Sequence, residues 1–156
     1  RYIVHFVCNV THPLHATARE TDAHPKGDRG GNDFLIQPID GWSDRPIRNL
    51  HALWDFGCGA FRSVARPLSP EGNAKIQSLA QSIMKEYPAS AFSQLKDANP
   101  NNWAKESFKL AKSKVYALEE GAAPPAAYLK SGADISRKRV ALAVYRLADL
   151  LNKAFK

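Results

Sequence analysis

Apolar residues recur at the three- and four-residue spacing of amphipathic helices from residue 69 to the end of the chain. Ser69, Pro70 and Glu71 form a helix-start signal. In the last predicted helix the apolar residues share one stripe: Val140, Val144, Leu147, Leu151 and Phe155. Three basic residues lie outside that stripe: Lys138, Arg146 and Lys153. We expect the stripe to face the core. Because no segment has a convincing strand pattern, the chain is predicted to be all-α, with residues 69–156 as a helical scaffold.

The first 56 residues combine two helix patterns with a long polar segment. Residues 2 to about 12 have the pattern of a buried helix, with apolar side chains at Ile3, Val4, Phe6, Val7 and Val10. Residues 16–45 are polar and rich in Gly, Pro and Asp, which predicts a long loop. A short helix is expected from Arg45 to Phe56, with Gly57 as its stop.

All the histidines of the chain fall in this first part: His5, His12, His15, His24 and His51. Imidazole and carboxylate groups are common zinc ligands. His51 and Asp55 are four residues apart on a predicted helix, so they project from one face. His5 and Asn9 have the same spacing, and Pro13 then ends the turn before His15. Three short pieces of chain thus offer ligands that can converge on a metal ion.

On spacing alone, other interpretations stay open. His51 and Asp55 match a helix-surface ion pair, and His5 matches a core histidine. We expect His12 and His24 to be surface residues.

The charge balance favours a polyanionic partner. The chain has 22 Lys and Arg against 15 Asp and Glu, a net charge of +7, and such an excess attracts nucleic acid through counterion release. No apolar run is long enough to cross a membrane. The two cysteines, Cys8 and Cys58, could form a disulfide, stay free or lend a thiolate to zinc.

Five motifs in one order give the chain a family resemblance. They are HFVCNVTHPLH at residues 5–15, GGN at 30–32, NLHALWD at 49–55, NWAKES at 102–107 and RVALAVYRLADLLN at 139–152. This set resembles the S1/P1 nuclease family, which shares its fold with zinc-dependent phospholipase C. The family pattern for the first motif is H-F-x-G-D-x-[HT]-Q-P-L-H.

The resemblance implies a helical fold with up to three zinc ions. His15, His51 and Asp55 resemble the protein ligands of one zinc, so this chain has one full three-ligand site. His5 resembles a ligand of a second zinc, and Asn9 stands where the family has an aspartate that bridges two metals. An asparagine near the bound nucleotide corresponds to Asn32. No catalytic residue apart from the ligands is implied, because a zinc-bound hydroxide is the nucleophile.

The resemblance also sets expectations about organisation. Residues 1–156 correspond to the C-terminal portion of one domain, with 1–56 as a metal-site segment that contains the loop at 16–45. Family members begin upstream of Arg1, so we expect the N-terminal part of the family fold to be absent from this chain and carried by a second polypeptide. Asn9, His12 and Cys8 replace the aspartate, glutamine and glycine of the family pattern.

The implied function is that of a secreted or periplasmic, zinc-dependent phosphodiesterase. Its substrates would be single-stranded DNA and RNA, cleaved endonucleolytically to 5′-nucleotides, with 3′-nucleotidase activity in addition. Three alternatives remain: a zinc-dependent phospholipase C, a catalytically impaired zinc-binding remnant, and a non-enzymatic basic helical domain that binds nucleic acid. Because Asn9 replaces the bridging aspartate and the upstream half carries further ligands, we expect this chain alone to be a weak or inactive enzyme.

Overall fold

The computed structural model describes residues 2–155, which form five α-helices and one two-stranded antiparallel sheet. The helices are α1 (Tyr2–Thr11), α2 (Leu50–Asp55), α3 (Pro70–Glu86), α4 (Pro100–Ser113) and α5 (Ala126–Ala154). The strands are β1 (Leu35–Ile39) and β2 (Ile47–Asn49), and short 3-10 turns connect several elements. The predicted all-α class is therefore confirmed, with a small sheet added to it.

The sheet corrects the prediction for residues 16–56. Strand β1 lies inside the segment predicted to be a loop, and β2 occupies the start of the segment predicted to be a helix, so α2 begins only at Leu50. Leu35 pairs with Asn49 and Ile39 with Ile47, with an irregularity between the two pairs. Strands this short and irregular show little alternation in sequence, which explains why the pattern missed them.

Helix starts follow the expected capping chemistry. The Ser69 hydroxyl accepts a hydrogen bond from the Gly72 amide at 3.1 Å at the start of α3. The Asn99 side chain does the same for the Asn101 amide at 3.0 Å at the start of α4. These contacts satisfy amide groups that a helix leaves unpaired in its first turn.

The predicted core stripe of α5 is wrong. Val140, Val144 and Phe155 are exposed, and Val144 retains 47% of its accessible surface. The buried face instead contains Arg139 and Arg146. Two arginines seven residues apart lie on one helix face, and both pair there with the Glu106 carboxylate of α4.

The prediction that α1 is a buried helix is also wrong. Tyr2, Ile3, Val4 and Phe6 are exposed, and Phe6 retains 63% of its surface, whereas Val7 and Thr11 are buried. One face of α1 packs against α4 and α5. The rest of the helix therefore presents apolar side chains to solvent.

The Arg139 and Glu106 pair also fixes the end of α1. The Arg139 Nε atom donates to the Thr11 carbonyl at 2.9 Å, and its Nη2 atom donates to the Ser107 hydroxyl at 2.8 Å. That hydroxyl donates to the Val10 carbonyl at 2.6 Å. Carbonyls at a helix C-terminus lack helical partners, so these bonds hold the chain in place where the first histidine motif continues.

The larger core cluster surrounds α2 and the sheet. Its members include Phe34, Leu50, Leu53 and Trp54, all nearly inaccessible to solvent. Cys58 belongs to the same cluster, and both cysteines are free thiols, with Cys8 exposed. Within residues 2–155, none of the helices is both long enough and apolar enough to cross a membrane.

Candidate metal centre

The first part of the site is the turn that follows α1. His12 precedes a 3-10 turn at Pro13–Ala16, with Pro13 at its first position. Leu14 is buried in the main core cluster, whereas His15, the next residue, is exposed. Burial of Leu14 thus anchors the turn and directs His15 away from the core.

The second part is helix α2. The Asn49 side chain accepts a hydrogen bond from the Ala52 amide at 2.8 Å and caps the helix. Leu50 and Trp54 are buried in the core. The helical period then places His51 and Asp55 together on the opposite face, and Asp55 is exposed there. The N-L-H-x-x-W-D motif is therefore a cap, two core anchors and a pair of polar groups.

The third part is the glycine loop, residues 29–32, which orients His51. The His51 Nδ1 atom donates to the Gly30 carbonyl at 2.7 Å, so its Nε2 atom carries the lone pair. Gly30 has a φ of +65°, and a Cβ atom there would lie 2.4 Å from the Leu14 carbonyl oxygen. Only glycine permits this close approach between the loop and the turn.

These three parts bring imidazoles around one carboxylate. His51 Nε2 lies 3.7 Å from one Asp55 oxygen, and His12 Nε2 lies 3.6 Å from the other. The ring of His15 stacks on that of His51 at 5.0 Å between centroids. One ligand atom each from His12, His15 and Asp55 lies within 4.8 Å of the other two.

His12 is therefore not the surface residue that we expected. Its side chain is only 20% exposed, and both ring nitrogens are buried without a hydrogen-bond partner. Burial, followed by the neighbouring His15 and His51, lowers the pKa of His12 to about 3. Burial and His51 also lower the pKa of His15. His24 differs from the expectation too, because it is partly buried and its Nε2 atom lies 2.9 Å from a Glu120 oxygen.

His5 and Asn9 contact each other on α1. The Asn9 side-chain nitrogen donates to His5 Nε2 at 3.0 Å. This bond engages the nitrogen that His5 would offer to a metal ion. Asn9 also lines a cleft of about 1150 Å³ together with His15 and His51. His5, the predicted ligand of a second zinc, thus lies on the helix that borders this cleft, and its Nε2 atom accepts a hydrogen bond from the Asn9 amide.

The cleft beside the site is mostly apolar. Phe6 and Val10 of α1 form one side, Trp103 of α4 lies at another, and Arg29 and Gly30 come from the glycine loop. Asn32 donates its side-chain amide to the Arg29 carbonyl at 2.9 Å. Among the described residues of this loop, Arg29 and Gly30 line the cleft and Asn32 does not.

The donor set suits a zinc ion. Imidazole nitrogens and one carboxylate oxygen are typical zinc ligands, and a metal requires neutral imidazoles. The lowered pKa values of His12 and His15 keep both rings neutral near pH 7. The ring nitrogens of His12 are buried without a hydrogen-bond partner, and a bound metal ion would supply a partner for one of them.

Comparison with known families gives one finding. A family model described as S1/P1 Nuclease matches residues 1–156, the whole chain. A comparison with curated proteins finds no match.

Proposed function

We propose a function for this chain from the premise that it belongs to the S1/P1 nuclease family. The proposed function is zinc-dependent endonucleolytic cleavage of single-stranded DNA and RNA to 5′-nucleotides, with 3′-nucleotidase activity. The observation that carries this proposal is the convergence of His15, His51 and Asp55 beside an open cleft. These are the residues that the family resemblance assigns to one zinc.

The side chains of the proposed site have separate roles. Bound zinc would supply a Lewis acid for activating water and for stabilising negative charge at the leaving oxygen. The carboxylate of Asp55 offsets part of the metal's charge, and His51 is held in one tautomer by the Gly30 carbonyl. His15 comes from the turn after α1, so the site joins two separate segments.

The cleft supports a nucleic-acid substrate. Phe6 is exposed and lines the cleft with Asn9 and His15, and an exposed aromatic ring can stack on an unpaired base. Arg29 lies at the same cleft with its side chain largely exposed. The net charge of +7 favours a polyanion over a neutral lipid headgroup. Asn32 stays a proposed nucleotide contact through its place in the same loop.

A second candidate is a zinc-binding protein with impaired catalysis. The hydrogen bond between Asn9 and His5 favours it, because an amide occupies the position where the family has a bridging carboxylate. A neutral amide cannot offset the repulsion between two cations as a carboxylate does. In that case the chain would hold one zinc and hydrolyse phosphodiesters slowly.

We also propose a polypeptide partner that covers α1. Ile3 and Phe6 border the large cleft on one side of this helix, while Cys8, Val140 and Val144 line a second cleft on the other side. Exposed apolar patches on two sides of one helix indicate an interaction surface. We infer that a second polypeptide packs on these two patches, in a secreted or periplasmic protein.

The first prediction tests the proposed function directly. With zinc bound, anomalous scattering at the zinc edge is expected to place an ion about 2.0–2.2 Å from His15, His51 and Asp55. The same preparation is expected to digest single-stranded DNA, to lose that activity with a chelator and to regain it with zinc. Digestion that survives complete zinc removal would contradict the proposal, and hydrolysis of phosphatidylcholine vesicles alone would indicate the phospholipase instead.

The second prediction concerns Asn9. Asn9→Asp is expected to raise the zinc stoichiometry and the phosphodiesterase rate, because a carboxylate removes the amide donor from His5 and adds a negative charge between metals. Zinc content by mass spectrometry and single-stranded DNA turnover check this. Asn152→Asp, which adds the same charge at an exposed position of α5, is the control. Unchanged zinc content in both variants would show that Asn9 is not at a bridging position.

A further inference from the structure

We infer that His12 is a fourth protein ligand of the proposed zinc, in addition to His15, His51 and Asp55. This inference rests on the proposed function, because it assumes that the site binds a metal. It goes beyond the family resemblance, whose pattern has a glutamine at this position. The argument uses the placement of His12, its distances to the other donors and the state of its ring nitrogens.

The ring of His12 lies inside the site. It is 4.6 Å from the His15 ring and 5.7 Å from the His51 ring, measured between centroids. Its Nε2 atom faces Asp55, whose other oxygen faces His51. The three imidazoles are therefore grouped around one carboxylate, and His12 and His51 face different oxygens of it.

The distances favour a shared ion over a direct contact. His12 Nε2 and Asp55 Oδ1 are 3.6 Å apart, which is too long for a hydrogen bond between these atoms. Two ligands bound at about 2 Å to one tetrahedral zinc are separated by roughly 3.3 Å. The 3.7 Å separation of His51 Nε2 and Asp55 Oδ2 falls in the same range. Both imidazoles thus lie slightly farther from Asp55 than neighbouring ligands of one zinc would, and His51 falls outside the tighter group of His12, His15 and Asp55.

The ring nitrogens of His12 make no hydrogen bond of normal geometry, although the Trp54 backbone lies close to the ring. Within residues 2–155, both of its ring nitrogens are buried and make no hydrogen bond. A buried polar group without a partner destabilises the fold. His5 and His24, by contrast, each have a side-chain partner. His12 is therefore the histidine that gains most from coordination, since a metal would satisfy a nitrogen that the protein leaves unpaired.

Contacts on both sides hold the backbone around His12 in place, so its ring is positioned before a metal binds. The preceding carbonyl, that of Thr11, accepts from the buried Arg139, and the His12 amide donates to the Asn9 carbonyl at 2.9 Å. The following residue is Pro13, whose ring restricts the backbone. The His12 ring is thus attached to an anchored segment on both sides.

A fourth protein ligand changes the character of the site. Three protein ligands leave one tetrahedral position open for water, whereas four complete the coordination, as in structural zinc sites. With His12 coordinated, this chain would hold one zinc tightly without any ligand from a partner. His12 would then have to leave, or the metal would have to expand its coordination, before water could bind.

The test compares zinc coordination and affinity in the full chain. X-ray absorption at the zinc edge of the unmodified protein is expected to show three imidazoles and one carboxylate. In competition with a chelating dye, His12→Gln is expected to weaken zinc affinity at least about 10-fold, since even the loss of a partner outside the ligand shell costs about 10–100-fold. His24→Gln, which changes a histidine paired with Glu120, is expected to leave the affinity unchanged.

The outcomes separate the role of His12 from the proposed zinc-dependent function. A zinc ion that the anomalous map places out of bonding reach of His12, or equal zinc affinity for His12→Gln and the unmodified chain, would overturn the role of His12. That result would leave the proposed function standing if Asp55→Asn still weakens binding. If the unmodified chain binds no zinc, both claims fail. The anomalous map needs no variant, so a folding defect in His12→Gln would not prevent a decision.

Discussion

Replacement of Asp55 by asparagine is expected to weaken zinc binding by more than about 100-fold and to abolish digestion of single-stranded DNA. Loss of a residue that only supports a ligand already costs about 10–100-fold, and Asp55 is the carboxylate shared by the surrounding imidazoles. An amide keeps the size of the side chain but removes the negative charge that offsets the metal's charge.

Zinc titration with a competing dye measures this effect, and the digestion assay measures its consequence. Asp149→Asn is the matched control, because Asp149 is an exposed helical aspartate that pairs with Lys153 on α5. Circular dichroism would confirm that both variants keep their helices. Equal zinc affinity in Asp55→Asn and Asp149→Asn would mean that the metal, if bound, lies elsewhere.

The second large effect concerns Glu106. Glu106→Ala is expected to lower the free energy of unfolding by about 3–5 kcal/mol, because it leaves two buried guanidinium groups without their counterion. The Arg139 side chain is 9% exposed and that of Arg146 1% exposed. Burial raises the pKa of Glu106, but hydrogen bonds from Arg146 and Arg139 outweigh it, so the net pKa is lowered and the carboxylate is charged near pH 7.

Denaturant unfolding checks this prediction, with the midpoint expected to move strongly in Glu106→Ala and less in Glu106→Gln, which can still accept a hydrogen bond. Glu86→Ala is the control, since it removes an exposed partner of Arg137 between α3 and α5. Exposed ion pairs contribute little to stability. Similar midpoint shifts for the Glu106 and Glu86 variants would contradict the importance of the buried pair.

Loss of the ion pairs of Glu106 is also expected to disturb the proposed metal site. Arg139 holds the Thr11 carbonyl at the end of α1, directly before His12 and the turn that carries His15. We therefore attribute a structural role to the NWAKES motif and to the arginines of α5: they position the segment that carries the proposed ligand His15. In sequence, these residues indicated family resemblance without showing what they do.

The placement of His51 and Asp55, two of the proposed ligands, could be predicted from sequence because the spacing of the residues specifies local geometry. His51 and Asp55 share a face of any helix that forms there, and the motif around them supplies a cap and two core anchors. His12 could not be predicted in this way. It follows α1 and precedes a proline, so its direction depends on how the turn packs against Asp55, 43 residues later in the chain.

The sequence determined the helical class, the helix start at Ser69 and the grouping of the proposed ligand types in the first 55 residues, because these depend on local periodicity, capping and spacing. The tertiary structure decided which faces are buried. On α5 the apolar stripe with Val144 is exposed, and the face with Arg146 is buried. Hydrophobic spacing identifies an apolar face, but it cannot show that two arginines will find one carboxylate on another helix. Only the packing of α4 and α5 on α1 brings those charges together, since a buried charge is tolerated only where a partner neutralises it.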